Sequence, residues 1–278
     1  MKLSNEWIAG FSDGEGCFNI QKIKGKTTNK TLQVVSNEST LLRHRFIISL
    51  DKKSVNVLYG IKEKLKCGTV HKAGGSMMAY QVSKENHLEN IIIPFFQKHT
   101  LKTAKREHFS AFVESFSRDY RFLLRNQTTN NSAYNFSDSW FRGFVDAEGC
   151  FSVSLVKDYP RPQLVIGLQS EEKQVLVELQ KFLKCGTLRT RKDGGIILQI
   201  VSSKDLERYI FPKLQTRGGA VMLQTRKRIS YQIFRKIVDI IRDKNHHTVE
   251  GLKKIKDLKN RLSKESRVET ECTTNITK

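Results

Sequence analysis

Two acids in this chain sit in matching surroundings: Glu15 in WIAGFSDGEGCF (residues 7–18) and Glu148 in WFRGFVDAEGCF (residues 140–151), the second stretch 133 positions after the first. In each stretch small residues fall four apart, Gly10 with Gly14 and Gly143 with Ala147, which places both on one face of a helix. A stripe of that kind lets two helix backbones approach closely. If the two helices pack side by side in the same sense, their C-terminal ends converge and Glu15 meets Glu148. Carboxylates sharing a site repel each other, and each also faces the negative end of its own helix dipole. A hard divalent ion resolves the conflict: Mg2+, or Mn2+ or Ca2+ in the same sites, takes carboxylate, carbonyl and water oxygens and leaves positions for phosphate. The expected ligands are Glu15 and Glu148, with the carbonyls of Gly14 and Ala147. Asp13 and Asp146, two residues ahead of the acids, point elsewhere on the helix and are expected in local hydrogen bonds.

The elements that must position these acids also come twice. LKCGTV at 65–70 returns as LKCGTL at 183–188, VSKENHLENIIIPFF from Val82 as SSKDLERYIFPKL from Ser202, and LKTAKR from Leu101 as LQTRKR from Leu223. The offset falls from 133 at the motif to 118 at LKCGT, which puts a longer loop in the first copy, near KGKTTNKTLQ. In CFSVSLV, Phe151, Val153 and Leu155 alternate with Cys150, Ser152 and Ser154, the period of a half-buried antiparallel strand. CFNIQKI alternates in the same way. VLVELQKFLKCG instead repeats its apolar positions at helical spacing and is expected to stop at Gly186.

The fold class is therefore α+β: a pseudo-two-fold duplicated αββαββα repeat, with antiparallel sheets and helices on one face of each. The expected domains are residues 1–118 and 137–264, joined by a polar linker at 119–136 and followed by a frayed tail at 265–278. Ser4 or Asn5, and Ser137 or Asp138, are expected to cap the motif helices. Gly16 and Gly149 are expected to end them in the left-handed conformation. Thr248 is the expected N-cap of a basic final helix.

The 278 residues carry 49 Lys and Arg against 28 Asp and Glu, a net charge of +21 with a pI near 9.8. The excess is spread evenly, +9 up to residue 139 and +12 from residue 140 onward. A shared positive surface points to a polyanionic partner, nucleic acid before any other. No apolar run is long enough to span a membrane, NIIIPFF being short and interrupted by Pro94. The first motif starts at Trp7, which leaves no room for a secretory or transit presequence, so the chain is expected to act where it is made or to arrive already trimmed. Cys17, Cys67, Cys150, Cys185 and Cys272 form no C-x-x-C pair and have no His at metal-site spacing. Neither zinc nor a disulfide framework is indicated, and buried reduced thiols are expected.

At IAGFSDGEG and FRGFVDAEG, with the acid in the eighth of nine positions, the chain resembles a single-chain, two-motif LAGLIDADG homing endonuclease. The resemblance runs through both repeats over nearly all of residues 5–262, including the SK after the fourth strand and the closing HTVEGLKKIKDLKN. It implies two saddle-shaped sheets that track the major groove of a double-stranded DNA target, with the acids meeting over the minor groove between them. The implied protein is a functional monomer: an Mg-dependent nuclease with 5′-phosphate products, intron-encoded in a mitochondrion or plastid. On each strand the face opposite the apolar side chains is expected to contact bases. In the first copy that face holds Asn19, Gln21, Arg43, Arg45, His71 and Gln81, and in the second Ser152, Ser154, Gln163, Arg189, Arg191 and Gln199. Arg reads guanine and Asn or Gln reads adenine. The copies differ at most of these positions, so an asymmetric target is expected, on the order of 20 base pairs if each sheet follows about one turn of duplex. Lys84 and Lys204 match a basic pocket near the scissile phosphates and Gln169 a polar helper in the second strand, where the first copy has Asp51. Alternatives on the same fold are an intron maturase, with intron RNA as partner, and a non-catalytic DNA-binding regulator.

Overall fold

The computed structural model describes residues 3–24, 40–116 and 134–270. The first copy runs α1 (Asn5–Glu15), β1 (Gly16–Lys24), β2 (Thr40–Asp51), α2 (Val55–Leu65), β3 (Thr69–Gly74) and β4 (Met77–Val82). It continues through α3 (Glu85–His87), a π-helical stretch (Leu88–Ile92), α4 (Ile93–Lys98) and α5 (Lys105–Phe116). The second copy repeats the order with α6 (Asp138–Glu148), β5 (Gly149–Val156), β6 (Tyr159–Leu168), α7 (Lys173–Leu183), β7 (Thr187–Thr190) and β8 (Ile196–Ile200). After α8 (Ser203–Asp205), a second π-helical stretch (Leu206–Ile210) and α9 (Phe211–Leu214), it closes with α10 (Lys227–Arg242) and α11 (Val249–Thr270). The proposed loop at KGKTTNKTLQ and most of the proposed linker lie outside the described residues.

Each copy forms one four-stranded antiparallel sheet, ordered β1-β2-β4-β3 and β5-β6-β8-β7. Alternation sends one side of every strand into a core roofed by helices. Phe18 and Phe46 meet Phe96, Phe109 and Phe112 under the first sheet, with ring centroids 5.1–5.8 Å apart. Under the second sheet Phe151 meets Tyr231 and Phe234. The other side of each sheet is left open.

Between the cores α1 and α6 run side by side. A Cβ on Gly10 would collide with the backbone carbonyl of Trp140, and one on Gly143 with that of Trp7, so glycine is what permits this backbone-to-backbone approach. Ala9 packs into the second copy's core and Ala147 into the first's, which stitches the halves together.

Several expectations are corrected. Gly16 and Gly149 are extended, at φ −72° and −70°, so each motif helix passes directly into its strand. Their glycine is steric: a Cβ would lie 2.5 Å from the Ser12 carbonyl oxygen in one copy and 2.7 Å from that of Val145 in the other. The left-handed residue closing α7 is Lys184, at φ 58°, with Lys66 its counterpart after α2, so the helix ends before Gly186. The final helix enters the segment expected to fray and reaches Thr270, anchored where Glu265 pairs with Arg226 at 2.6 Å. Thr248 accepts from the Gly251 backbone N–H at 3.0 Å, as a cap for α11 should. Cys67 is buried, but Cys17 and Cys150 are exposed and Cys185 is half-buried. Strand alternation explains this, because Phe18 and Phe151 point inward and turn their neighbours to the open face. Cys272 lies outside the described residues. Among the described residues no helix is long and apolar enough to cross a membrane.

Candidate active site

The site is built from the ends of α1 and α6. Ser4 and Ser137 cap these helices, their hydroxyls accepting from the Trp7 and Trp140 N–H at 3.1 and 3.0 Å. The Ser4 hydroxyl is also hydrogen-bonded to that of Ser139 across the seam. Two residues before their ends, Asp13 and Asp146 are buried, and each holds the halves together. Asp13 accepts from the Trp140 indole at 2.8 Å and from the backbone N–H of Lys102 and Thr103 at 2.8 and 2.9 Å. Asp146 accepts from the Trp7 indole at 3.1 Å, from the Gln224 and Thr225 N–H at 2.8 and 3.0 Å, and from the Thr225 hydroxyl at 2.6 Å. The local hydrogen bonds expected of these aspartates are present, and the exchange of tryptophans across the seam is added to them. Burial raises both aspartate pKa values, opposed by the hydrogen bonds they accept.

Glu15 and Glu148 emerge beside each other at the helix ends. A Cβ placed on Gly14 would lie 2.9 Å from the Glu148 Oε1, so glycine leaves room for the neighbouring carboxylate. Burial pushes the Glu15 pKa up to about 7; Glu148 adds to the rise, while Lys227 and Lys105 oppose it. Glu148 is raised as well, chiefly by burial, again opposed by Lys227 and Lys105 and assisted by Glu172. Two crowded, buried carboxylates whose pKa values are both raised form a centre whose ionised state is favoured by added positive charge.

The lysines reach the centre from the starts of α5 and α10. Thr103 and Thr225 position them: each hydroxyl is tied to the aspartate of its own copy and accepts from the backbone N–H of Lys105 or Lys227, at 3.3 and 3.2 Å. The Lys227 ammonium donates to the Ala147 carbonyl oxygen. That contact tests the fit of a metal, since a cationic group already sits on one of the carbonyls expected to face it, next to two carboxylates. The donor set is all oxygen and suits a hard divalent ion. Among the described residues no cluster of three or more His, Cys, Asp and Glu could hold an ion by itself, so substrate and water oxygens would complete the coordination.

Lys84 and Lys204, expected near the phosphates, lie exposed at the starts of α3 and α8 and are not among the charges acting on either glutamate. The lysines that act on both glutamates are Lys105 and Lys227. The signal for them was available in the repeated blocks LKTAKR and LQTRKR. Gln169 and Asp51 occupy equivalent posts at the ends of β6 and β2, Asp51 accepting from the Lys53 N–H at 2.9 Å.

On the open faces, register pairs Asn19 with Arg45, Gln21 with Arg43, Ser152 with Gln163 and Ser154 with Arg161. Gln81 lies opposite Ile47 and Thr69, Gln199 opposite Val165 and Thr187, His71 opposite Ala79, and Arg189 opposite Ile197. In the first copy the Arg45 guanidinium clasps the Asn19 and Gln21 side-chain oxygens at 3.0 and 3.1 Å. In the second the Gln163 amide donates to the Ser152 hydroxyl at 2.9 Å and accepts from Gln199, while Arg191 pairs with Asp193 at 3.1 Å. Arg161 also faces outward and was not singled out from the sequence, although it stands two residues before Gln163 on the same side of the strand.

These features define a class: duplicated αββαββα proteins whose paired motif helices bring two carboxylates together between two open sheets. The chain belongs to the LAGLIDADG endonuclease family, whose model matches residues 8–116 and 141–238. It is 23% identical over 271 residues to Probable intron-encoded endonuclease 4 of Neurospora crassa, covering 93% of this chain and 44% of that one. A segment covering 32% of the chain is 32% identical to DNA endonuclease I-CvuI of Chlorella vulgaris, 64% of which it spans. The chain spans 44–65% of the length of three such intron-encoded relatives. In fold it is similar to the I-LtrWI LAGLIDADG homing endonuclease bound to target DNA, with a TM-score of 0.78 at 24% identity over 92% of this chain and 96% of that one. It is also similar to the meganuclease I-SmaMI bound to uncleaveable DNA, with a TM-score of 0.77 at 23% identity over 93% and 96% of the two chains.

Proposed function

We propose that this chain is a site-specific endonuclease that binds a long, asymmetric DNA duplex as a monomer and hydrolyses one phosphodiester in each strand with divalent metal, Mg2+ by preference. The observation that carries the reading is the pair Glu15 and Glu148, one from each half, set between Lys105 and Lys227. Glu15, Glu148 and the Gly14 and Ala147 carbonyls would hold the ions. Bound there, divalent metal supplies an activated water and charge stabilisation for the departing 3′ oxygen. The raised pKa of Glu15 means that it gives up its proton when a cation arrives. Lys105 and Lys227 neutralise the charge that grows on the phosphoryl oxygens, the part first expected of Lys84 and Lys204. Gln169 stands at the end of β6 as a polar aid to orienting water.

The open faces would lie against the bases, with Arg43, Arg45, Arg161, Arg189 and Arg191 offering guanidinium donors and Asn19, Gln21, Gln81, Gln163 and Gln199 amides. Twofold repetition of the chemistry with non-identical faces suits two cuts within one non-palindromic site. The kinship with proteins named intron-encoded supports an intron-borne reading frame, in a mitochondrion or plastid.

The test is incubation with a randomised duplex library in Mg2+ and in EDTA, alongside Glu15→Gln and Glu148→Gln. The parent should select a single family of sequences and cut both strands only with metal. Each variant should lose about a thousandfold or more in rate while still binding the selected duplex. A Gln variant that cuts at the parental rate would refute the assignment of that acid.

A further inference from the structure

The helices α2 and α7 begin at Ser54 and Glu172, yet neither side chain caps its own helix. Each reaches across the seam instead. The Ser54 hydroxyl accepts from the Arg226 backbone N–H at 3.2 Å, at the threshold of α10. The Glu172 Oε1 accepts from the Ala104 N–H at 2.8 Å, at the threshold of α5. These thresholds immediately precede Lys227 and Lys105. Each active-site lysine is therefore anchored by the opposite half of the molecule, one through a neutral hydroxyl and the other through a carboxylate.

The two corners differ further. At Lys227 the residue at the threshold is Arg226, whose guanidinium is held by Glu265 of α11 at 2.6 Å. At Lys105 the residue is Ala104, with no side chain to hold, so Glu172 is the acid that steadies that corner. A carboxylate at the first turn of a helix takes up an otherwise unpaired N–H and complements the positive end of the dipole. Lys227 has a second tether through the Ala147 carbonyl oxygen.

We propose that Glu172 is the positioning residue for Lys105, and that through it the second half of the chain sets the rate at which one of the two strands is cut. This rests on the nuclease reading above. Among the described residues the Lys105 corner has the Thr103 hydroxyl and the Glu172 bond, where the Lys227 corner adds the Arg226–Glu265 pair and the Ala147 carbonyl to Thr225 and Ser54, so disturbing Glu172 slows one cut selectively. Glu172 touches no reacting atom in this scheme; beside its charge effect on Glu148, it acts through the Ala104 backbone and the start of α5.

The experiment uses the full-length protein, Mg2+ and the duplex it selects from a randomised library, with each strand end-labelled separately. Nicking of each strand is followed for the parent, Glu172→Ala, Glu172→Gln, Lys105→Ala and the double variant, alongside melting temperature and amide exchange at Ala104 and Lys105 in the free protein. Glu172→Ala should slow by about tenfold the same nick that Lys105→Ala slows, leave the other nearly unchanged, and add little on top of Lys105→Ala. Glu172→Gln keeps an oxygen acceptor and should recover most of that rate, and amide protection at Ala104 should fall in the Ala variant and return in the Gln variant. Equal slowing of both nicks, a Gln variant no better than Ala, or unchanged protection at Ala104 would overturn the proposal. A parent that cuts no duplex would refute the nuclease reading instead, leaving the amide exchange to decide whether Glu172 anchors the start of α5.

Discussion

Along the seam the two halves are close copies. Ser4 and Ser137 cap the helices, Gly10 and Gly143 admit the opposing tryptophan carbonyls, Asp13 and Asp146 exchange indoles, and each acid is followed by Gly-Cys-Phe. On the open faces the resemblance stops: a guanidinium clasp joins Arg45, Asn19 and Gln21, where the other sheet has a neutral chain through Ser152, Gln163 and Gln199. Chemistry needs the same geometry on both sides, so the seam is constrained twice over. Under the proposed function base reading has no such requirement, and the two faces differ. The lysine corners fall between these extremes, alike in Thr103 and Thr225 but different in what anchors them.

The comparison breaks most severely at the seam. Gly143→Ala, with Gly10→Ala as its mirror, forces two backbones apart and should cost about 3 kcal/mol or more of stability, read by urea denaturation. Equal losses in the two variants would sharpen the symmetry of the seam, and a silent substitution would break it. Second in size is target symmetry. Palindromes built from either half of the selected site should bind roughly a hundredfold more weakly than the natural asymmetric duplex, as measured by competition. Equal binding would mean that the two faces read alike.

Next comes pH. The Glu15 pKa is raised from 4.5 to about 7 in the folded, metal-free protein. Below pH 4.5 both folded and unfolded states hold the proton; between there and about 7 the unfolded chain releases it first, so stability falls as pH rises through that window. Thermal melts in EDTA should show a loss of roughly 2 kcal/mol between pH 5 and pH 8, and Mg2+ should offset it at the upper end. The smallest effect is expected from Arg45→Ala. Losing one guanidinium should cost about 1–2 kcal/mol of binding and relax preference at the base pairs under the first sheet alone, seen by profiling cleaved sequences.

Much of this was legible from local pattern. Period-two alternation assigned the open faces, and the repeated small residues and acids placed the paired helices. Where expectation failed, local rules competed with packing. Glycine after a helix suggested a left-handed turn at Gly16, whereas the reason is crowding against the Ser12 carbonyl. The usual burial of cysteine was assumed for Cys17 and Cys150, although their neighbours Phe18 and Phe151 had already claimed the inward side. Lys105 and Lys227 lie in the repeated blocks LKTAKR and LQTRKR, but nothing local says that α5 and α10 start at the seam. The bond from Glu172 to Ala104 joins residues 68 positions apart, with no periodicity to announce it.

The ion pair between Glu265 and Arg226 makes the order of synthesis matter. A polypeptide growing from its amino end acquires Glu15, Glu148 and the eight described strands, the last ending at Ile200, before Glu265 emerges. A chain stopped before that point lacks the clamp on the Arg226 guanidinium and holds its Lys227 corner by Ser54, Thr225 and the Ala147 carbonyl oxygen alone among the described residues.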